Sequence, residues 1–225
     1  MKPLILFCII ALFSASPVVG GPTGSITGVV SPPAKSEARI PVEKYVGSIS
    51  GKVVRPPVIV AGVWIEGPGL VAPASSPSVT MNQKGYQFGQ SLQIVARGTR
   101  MLFPNEDDDY HNVFSLARVA RFDLGRYKRN EPETPSYTFN TVGLIRLQCE
   151  IHQHMNARVL VVESPYFTTT AGDGSFTLVG LPAGNWTLRV QYDEKNQWHA
   201  PVTVVPGKTA TPSLISGPPT SLVRP

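Results

Sequence analysis

The sequence predicts an all-β protein made of many short strands. Apolar segments of about four to eight residues recur along the chain, and turn-forming residues separate them. The 22 prolines and 20 glycines among the 225 residues are spread throughout and follow no collagen period. No segment has a convincing version of the 3.6-residue hydrophobic period of an amphipathic helix. Short strands at this spacing are typical of a β-sandwich or a β-barrel.

Composition limits the possible function classes. Hydrophobic residues make up 42 % of the chain, which is enough to fill a core and excludes a disordered protein. Charged residues make up only 16 %, and the formal net charge is +5. This charge is too small, and the basic segments are too poor in aromatic residues, to indicate nucleic-acid binding. We therefore expect no nucleic-acid partner.

Residues 1–20 are predicted to be a secretory signal peptide. Met1 and Lys2 form a short positive start, and the apolar run from Leu4 to Phe13 is too short to span a bilayer. We expect cleavage near Gly20. Because no second long apolar segment follows, the mature protein is predicted to be periplasmic or secreted, without stable membrane insertion.

The first predicted strands come from two similar stretches that begin at Gly24 and Gly47. Each starts with Gly-Ser-Ile, alternates small polar with β-branched residues and stops at a double proline, as a short strand does. The sequence leaves open which copy supplies the first strand. The run from Val58 to Glu66 is a further predicted strand, and residues 73–78 are a connector of Ser, Pro and Ala.

Six further apolar runs follow Val79 and predict the strands of a second unit. The last third of the chain carries an Asp-Gly hairpin signal at Asp173 and Gly174, followed by alternating segments. Residues 217–225 are predicted to be a flexible tail. The six runs are Leu92 to Ala96, Arg100 to Pro104, His111 to Leu116, Ser136 to Phe139, Leu144 to Cys149 and Arg158 to Val162.

Cys149 is the cysteine that requires an explanation. The chain has two cysteines, and Cys8 lies inside the predicted signal peptide. Exported proteins usually pair their cysteines, so a lone thiol in such a protein needs a role. An inert buried thiol and an intermolecular disulfide are the simplest alternatives.

The residues around Cys149 indicate a metal site. Cys149, His152 and Met155 follow C-x-x-H-x-x-M spacing, and His111 lies in an earlier predicted strand. A thiolate and two imidazoles in one plane, with a weak axial thioether, accept both Cu(I) and Cu(II). Alternation in the strand that ends at Cys149 directs its sulfur toward the core face. We therefore predict one mononuclear copper ion between these four side chains.

Zinc is the main alternative metal. A tetrahedral zinc site would add His154 to the thiolate and the two imidazoles. Against it, Met155 would then have no role, and we expect His154 to be an exposed neighbour. The remote His199 is expected to be a surface residue.

At these residues the chain resembles the cupredoxins, the blue copper family that includes plastocyanin and amicyanin. The tripeptide His-Asn-Val at His111 is similar to the family's first-ligand motif, and the loop from Cys149 to Met155 is similar to amicyanin's short ligand loop. The resemblance covers residues 79–163 and implies a Greek-key β-sandwich. By this resemblance His111, Cys149, His152 and Met155 are the copper ligands, and Asn112 ties the two ligand loops together.

The resemblance has departures. Ile151 occupies a position that Pro often holds, and Ala157 one that Gly often holds. The connector from Arg118 to Arg129 is unusual for the family. It resembles a subgroup of bacterial plastocyanin-like proteins of the methylamine-utilisation type.

The flanks resemble the carboxypeptidase regulatory-like, transthyretin-like β-sandwich. The first half of that pattern matches residues 47–67, and the second half matches residues 170–188. We therefore expect the copper unit to be inserted into a small sandwich whose early strands pair with its late ones. The predicted divisions are signal peptide 1–20, early transthyretin-like strands 21–75, copper domain 76–164, late transthyretin-like strands 165–216 and tail 217–225.

The leading functional hypothesis is one-electron transfer to or from a redox protein partner. His152 is the expected exposed ligand, and with no ligand position left open we predict no enzyme activity. Copper sequestration or delivery is one alternative. The other is a carbohydrate-binding or adhesion module with an incidental metal, in which Trp186 and Trp198 would stack on sugars, although Trp186 fits a core position better.

Overall fold

The structure, a computed structural model, describes residues 21–31, 60–73 and 76–216. The predicted signal peptide, the Gly47 copy of the Gly-Ser-Ile stretch and the predicted tail lie outside these residues. The described part of the chain contains sixteen strands and no helix, so the all-β prediction is confirmed. Consistent with this, none of the described residues forms a helix long and apolar enough to cross a membrane.

The strands are short and follow one another closely. In chain order they are β1 (Thr23–Val29), β2 (Gly62–Glu66), β3 (Val79–Thr80), β4 (Leu92–Ala96), β5 (Thr99–Leu102), β6 (His111–Ala117), β7 (Ala120–Tyr127), β8 (Ser136–Phe139), β9 (Gly143–Gln148), β10 (Asn156–Val162), β11 (Phe167–Thr169), β12 (Ser175–Pro182), β13 (Gly184–Gln191), β14 (Gln197–Val204), β15 (Thr209–Ala210) and β16 (Ile215–Ser216).

Strands β3 to β10 form a sandwich that we call the central sandwich. One sheet has the order β4-β10-β9-β6-β7, and the other has the order β3-β5-β8. The chain changes sheet at every step from β3 to β6 and again on either side of β8, which gives the predicted Greek-key arrangement. Its core shows the period of two expected of strands: Ile145, Leu147 and Cys149 are buried, whereas Arg146 and Gln148 are exposed.

The predicted connector from Arg118 to Arg129 is wrong, because most of it is strand β7. This strand pairs with β6 as a hairpin and forms an edge of the five-stranded sheet. Its solvent side carries charges such as Arg121 and Asp123, while Phe122 and Leu124 pack against the core. Charged side chains on an edge strand dilute the hydrophobic pattern, which is why the sequence reads as a connector.

The remaining strands form a second sandwich, the flanking sandwich. Its sheets have the orders β12-β1-β15 and β11-β2-β13-β14-β16. The Gly24 copy of the repeated stretch supplies β1, which pairs with β12 and β15, while β2 pairs with β11 and β13. Strands from before and after the central sandwich therefore share both sheets. The exact domain boundaries stay a prediction.

The Asp-Gly signal at Asp173 and Gly174 forms a tight turn, but not a hairpin of paired strands. Gly174 has a φ of 84°, and its backbone N–H donates to the carbonyl of Ala171. The turn connects β11 to β12, which lie in different sheets. A β-carbon at Gly174 would lie 1.9 Å from the carbonyl oxygen of Val30, so only glycine fits here.

An apolar contact joins the two sandwiches. Trp64 leaves β2 on the face opposite to the flanking core and packs against β4 and β10 of the central sandwich. Gly62 permits this approach, because a β-carbon there would lie 2.4 Å from Cδ2 of Leu160. At the rim, Arg146 pairs with Glu194 at 3.2 Å. The buried members of the contact are Trp64, Leu92, Ile94, Leu160 and Val162.

We expect Leu160→Ala to lower the free energy of unfolding by about 2–5 kcal/mol, because it opens a cavity between the sandwiches. Leu160 is 2 % exposed. Leu116→Ala is the matched control, since Leu116 is 63 % exposed, and it should change stability by less than about 0.5 kcal/mol. Chemical denaturation of both variants measures the difference. Equal effects of the two substitutions would contradict the interface.

Candidate metal centre

Three side chains that bind metals converge at one end of the central sandwich. His111 begins β6, Cys149 directly follows β9, and His152 lies in the turn before β10. Strands β6 and β9 are antiparallel neighbours, with Phe114 opposite Gln148, so the start of β6 lies beside the end of β9. Strand pairing therefore brings together residues that are far apart in the sequence.

The donor atoms of the three side chains lie close together. Nδ1 of His111 is 3.0 Å from Nδ1 of His152, and Nδ1 of His152 is 3.9 Å from Sγ of Cys149. All three donors lie within 4.8 Å of one another. His111 and Cys149 are buried, and His152 is half-buried.

This arrangement fits a single metal ion. Bonds of about 2.0–2.3 Å from nitrogen and sulfur to one ion place the donors about 3–4 Å apart. The distances of 3.0 Å between His111 and His152 and of 3.9 Å between His152 and Cys149 match this spacing. One thiolate with two imidazoles is a donor set of copper electron-transfer sites. The residues present therefore fit the predicted copper ion.

Met155 closes the loop that carries Cys149 and His152. Its backbone N–H donates to the carbonyl of His152 at 2.8 Å, and its carbonyl accepts from the N–H of Cys149 at 3.3 Å. The side chain is 1 % exposed and belongs to the same core cluster as Cys149. Its role as an axial ligand stays a prediction.

Asn112 connects the two chain segments that carry the donors. Its Oδ1 accepts the backbone N–H of Glu150 at 2.8 Å, immediately after Cys149. Its Nδ2 donates to Asp123 on β7 at 3.3 Å. The side chain is buried, so these bonds fix the spacing between His111 and the ligand loop.

Asp107 is a site residue that the sequence analysis missed. Its Oδ2 lies 2.9 Å from Nε2 of His111, and its two oxygens accept the backbone N–H groups of Gly85 and Tyr86. Because the carboxylate holds Nε2, the other ring nitrogen of His111, Nδ1, faces the cluster as the atom available to bind a metal. The only sequence signal is an Asp four residues before the His, and two further aspartates follow Asp107, so the sequence does not select it.

The Cys149 thiol and the His111 imidazole shift each other's pKa in opposite directions. Burial raises the pKa of the Cys149 thiol, but hydrogen bonds from His111 and from three backbone N–H groups outweigh burial, so the pKa lies below its ordinary value. Burial lowers the pKa of His111, but hydrogen bonds to Cys149 and Asp107 outweigh it and raise the pKa. The site therefore favours a thiolate, which is the form that binds metals.

His152 favours its neutral form. Burial lowers the pKa of this imidazole, and the nearby His111 and His154 lower it further. A neutral imidazole has a ring nitrogen free to bind a metal.

His154 is not one of the convergent donors. The His/Cys cluster formed by the described residues contains His111, Cys149 and His152, without His154. Nε2 of His154 lies 3.0 Å from the backbone carbonyl of Tyr86. The expectation that His154 is exposed is wrong, since it is half-buried against this loop. The zinc alternative thereby loses its fourth ligand. His199 lies on β14 of the flanking sandwich, outside the metal cluster, and is half-buried.

A family model covers part of the chain. The carboxypeptidase regulatory-like domain matches residues 154–214, which agrees with the resemblance of the late flanking strands. The match begins before β10, although β10 pairs with β4 and β9 and so belongs to the central sandwich. No curated protein matches the chain.

Solved structures of copper proteins match part of the chain. The amicyanin of Paracoccus versutus is 19 % identical, with 44 % of this chain and 97 % of that chain covered and a TM-score of 0.35. A reduced, Cu(I) form of an amicyanin variant is 20 % identical, with 44 % and 98 % covered and a TM-score of 0.35. A copper-containing nitrite reductase from Thermus scotoductus is 22 % identical, with 40 % of this chain and 23 % of that chain covered and a TM-score of 0.37.

Overlaps of this extent transfer no property of those proteins to this chain. The fold class rests on its own strand order, which is that of two β-sandwiches with a Greek-key centre. The site rests on its own His-Cys-His cluster.

We expect Asp107→Ala to weaken metal binding about 10–100-fold, because His111 loses the acceptor that orients its ring. Asp108→Ala is the control, since Asp108 is adjacent, exposed and paired only at the surface with Arg129. Competition with a chelator measures the affinity of both variants for Cu(II). Equal affinities would show that Asp107 does not orient the ligand.

Proposed function

We propose that this protein is an exported copper protein of the type 1, blue copper class that transfers one electron to or from a redox protein partner. The observation that carries the proposal is the convergence of a thiol and two imidazoles within 4.8 Å of one another at one end of the central sandwich, with two of the three side chains buried. A bound copper ion would supply one-electron chemistry by alternating between Cu(II) and Cu(I).

The chain's own residues provide a rigid frame for this chemistry. His111, Cys149 and His152 would hold a single ion, and we propose Met155 as its weak axial ligand. His111 stands on a strand, and the other donors lie in a loop that backbone bonds close at both ends. A frame that is fixed before electron transfer needs little rearrangement when the charge of the site changes.

The proposal includes no enzyme activity. Four protein donors around one ion leave no position open for a substrate. Export to the periplasm or the medium is part of the proposal, and its support is the predicted signal peptide together with the unpaired Cys149.

Burial favours electron transfer over copper delivery. His111 is 0 % exposed and Cys149 is 3 % exposed, so a metal acceptor has poor access to either donor. The carbohydrate-binding alternative loses support, because Trp186 and Trp198 pack against the core of the flanking sandwich.

His152 is the donor that reaches the surface. It lines a shallow cavity of about 720 Å³ together with Asp109, Tyr110, Arg126 and Ile151. Tyr110 is 49 % exposed and Ile151 is 39 % exposed, so the cavity offers apolar contact area beside the imidazole. We propose that a redox protein docks there.

The charges around this cavity are balanced. Arg126 pairs with Glu150 at 2.6 Å. Asp109 and Lys128, whose ammonium lies 4.7 Å from the centre of the Tyr110 ring, add one charge of each sign. Arg129 pairs with Asp108. Paired charges attract a charged partner weakly, so docking should depend little on ionic strength.

Adding Cu(II) to the purified protein should give an intense thiolate-to-copper absorption band in the visible spectrum. Cys149→Ser should lose the band, because a hydroxyl does not replace the thiolate. His199→Ala is the control and should keep it, since this histidine lies in the other sandwich. A colourless adduct of the unaltered protein would refute the proposed site.

The coloured sample also separates electron transfer from copper delivery. Reversible one-electron reduction with slow loss of copper supports transfer. Rapid surrender of copper to an apo-acceptor protein would instead favour delivery.

Ile151→Asp should slow electron exchange with small redox proteins that dock through an apolar surface, because it places a charge in the docking surface. It should leave the absorption band intact, because Ile151 is not a ligand. Val179→Asp is the control: Val179 is 71 % exposed but lies on the flanking sandwich. Stopped-flow kinetics of reduction measures the rates. If both variants react at the rate of the unaltered protein, electrons leave by another surface.

A further inference from the structure

We propose that Tyr86 is a positioning residue that clamps the imidazoles of His111 and His152 in their binding orientations. The inference deepens the proposed function and rests on it for its effect on copper. Tyr86 lies in the loop between β3 and β4, far from the ligands in the sequence, and no feature of the sequence marks it as part of the site.

The ring of Tyr86 touches both imidazoles. Its centre lies 5.0 Å from that of His152 at an interplanar angle of 76°, and 5.8 Å from that of His111 at 90°. Both contacts are edge-to-face, which is a favoured geometry for aromatic rings. One phenol ring therefore contacts two of the three convergent donors.

The backbone of Tyr86 is held in an unfavourable conformation. Its φ is 61°, in the left-handed region that bulky residues rarely adopt. Such a conformation persists only where the surroundings enforce it, and it occurs most often at functional sites. Here the backbone N–H of Tyr86 donates to Asp107, the carboxylate that also holds His111.

The remaining polar groups of Tyr86 bind the two segments that carry the histidines. Its hydroxyl donates to Asp109, two residues before His111. Its carbonyl lies 3.0 Å from Nε2 of His154, two residues after His152. The residue thus links the β3–β4 loop, the segment before β6 and the ligand loop.

This geometry has a physical consequence for the donors. With the phenol ring against both imidazoles, neither imidazole can rotate without displacing Tyr86. Displacing Tyr86 in turn costs the bonds to Asp107 and Asp109. Holding the rings in one orientation preorganises the site, which slows loss of the metal and fixes the geometry that sets its reduction potential.

Tyr86→Gly tests the clamp, because glycine adopts a φ of 61° without strain and removes only the ring and its hydroxyl bond. Asn130→Gly is the matched control, since Asn130 is the other described non-glycine residue with a positive φ, 63°, and it is exposed. Tyr86→Phe keeps the ring and removes only the bond to Asp109.

The copper-loaded proteins give one readout. We expect Tyr86→Gly to raise the rate of copper loss at least about tenfold, and to shift the reduction potential and the Cu(II) electron paramagnetic resonance spectrum. Asn130→Gly should change none of these, and Tyr86→Phe should stay near the unaltered protein in the rate of copper loss. Unchanged values in Tyr86→Gly would overturn the clamp.

The metal-free proteins give a second readout that does not depend on the proposed function. In nuclear magnetic resonance spectra, Tyr86→Gly should broaden the ring-proton signals of His111 and His152, because the imidazoles then exchange between orientations, and Asn130→Gly should leave their line widths unchanged. If the unaltered protein forms no coloured copper adduct, the proposed function fails. The histidine signals of the metal-free proteins then still show whether Tyr86 holds the two imidazoles in place. If Tyr86→Gly does not fold, Tyr86→Asn replaces it, because Asn tolerates the left-handed conformation.

Discussion

The antiparallel pairing of β6 with β9 is the constraint on which the site depends. It places the first residue of β6 beside the residue that follows β9, and these residues are His111 and Cys149. The turn after Cys149 then returns His152 toward them before β10 begins. Strand pairing thus fixes the distance between His111 and Cys149, and the short loop adds His152.

Burying these donors is costly unless each polar atom has a partner. Hydrogen bonds on the side of the cluster away from the metal-binding atoms supply these partners. Asp107 accepts from His111 and from two backbone N–H groups, and Asn112 accepts from the backbone after Cys149. The same bonds that satisfy the buried groups orient them, so stability and metal binding use one network here.

The two sandwiches depend on each other through chain connectivity. Strands β1 and β2 precede the central sandwich and complete both sheets of the flanking one. Trp64 and Leu160 then close the apolar contact between them, with Gly62 allowing the approach. The central sandwich, which carries the metal-binding side chains, is therefore packed against the flanking sandwich. This packing helps a metal site to keep its geometry.

By itself, the sequence determined the all-β class, most strands and the neighbouring Cys149 and His152, because period-two alternation and short ligand spacing are local properties of the chain. His111 followed from its resemblance to a known ligand motif, and the pairing of β6 with β9 brings it to the other two donors. The sequence misread β7, because an edge strand carries charges on its solvent side. Only the tertiary structure selected Asp107 among three consecutive aspartates and brought Tyr86 to the imidazoles. It also excluded His154 from the set of convergent donors. The physical reason is that hydrogen bonds and ring contacts depend on which loops meet in space, and no local pattern encodes that meeting.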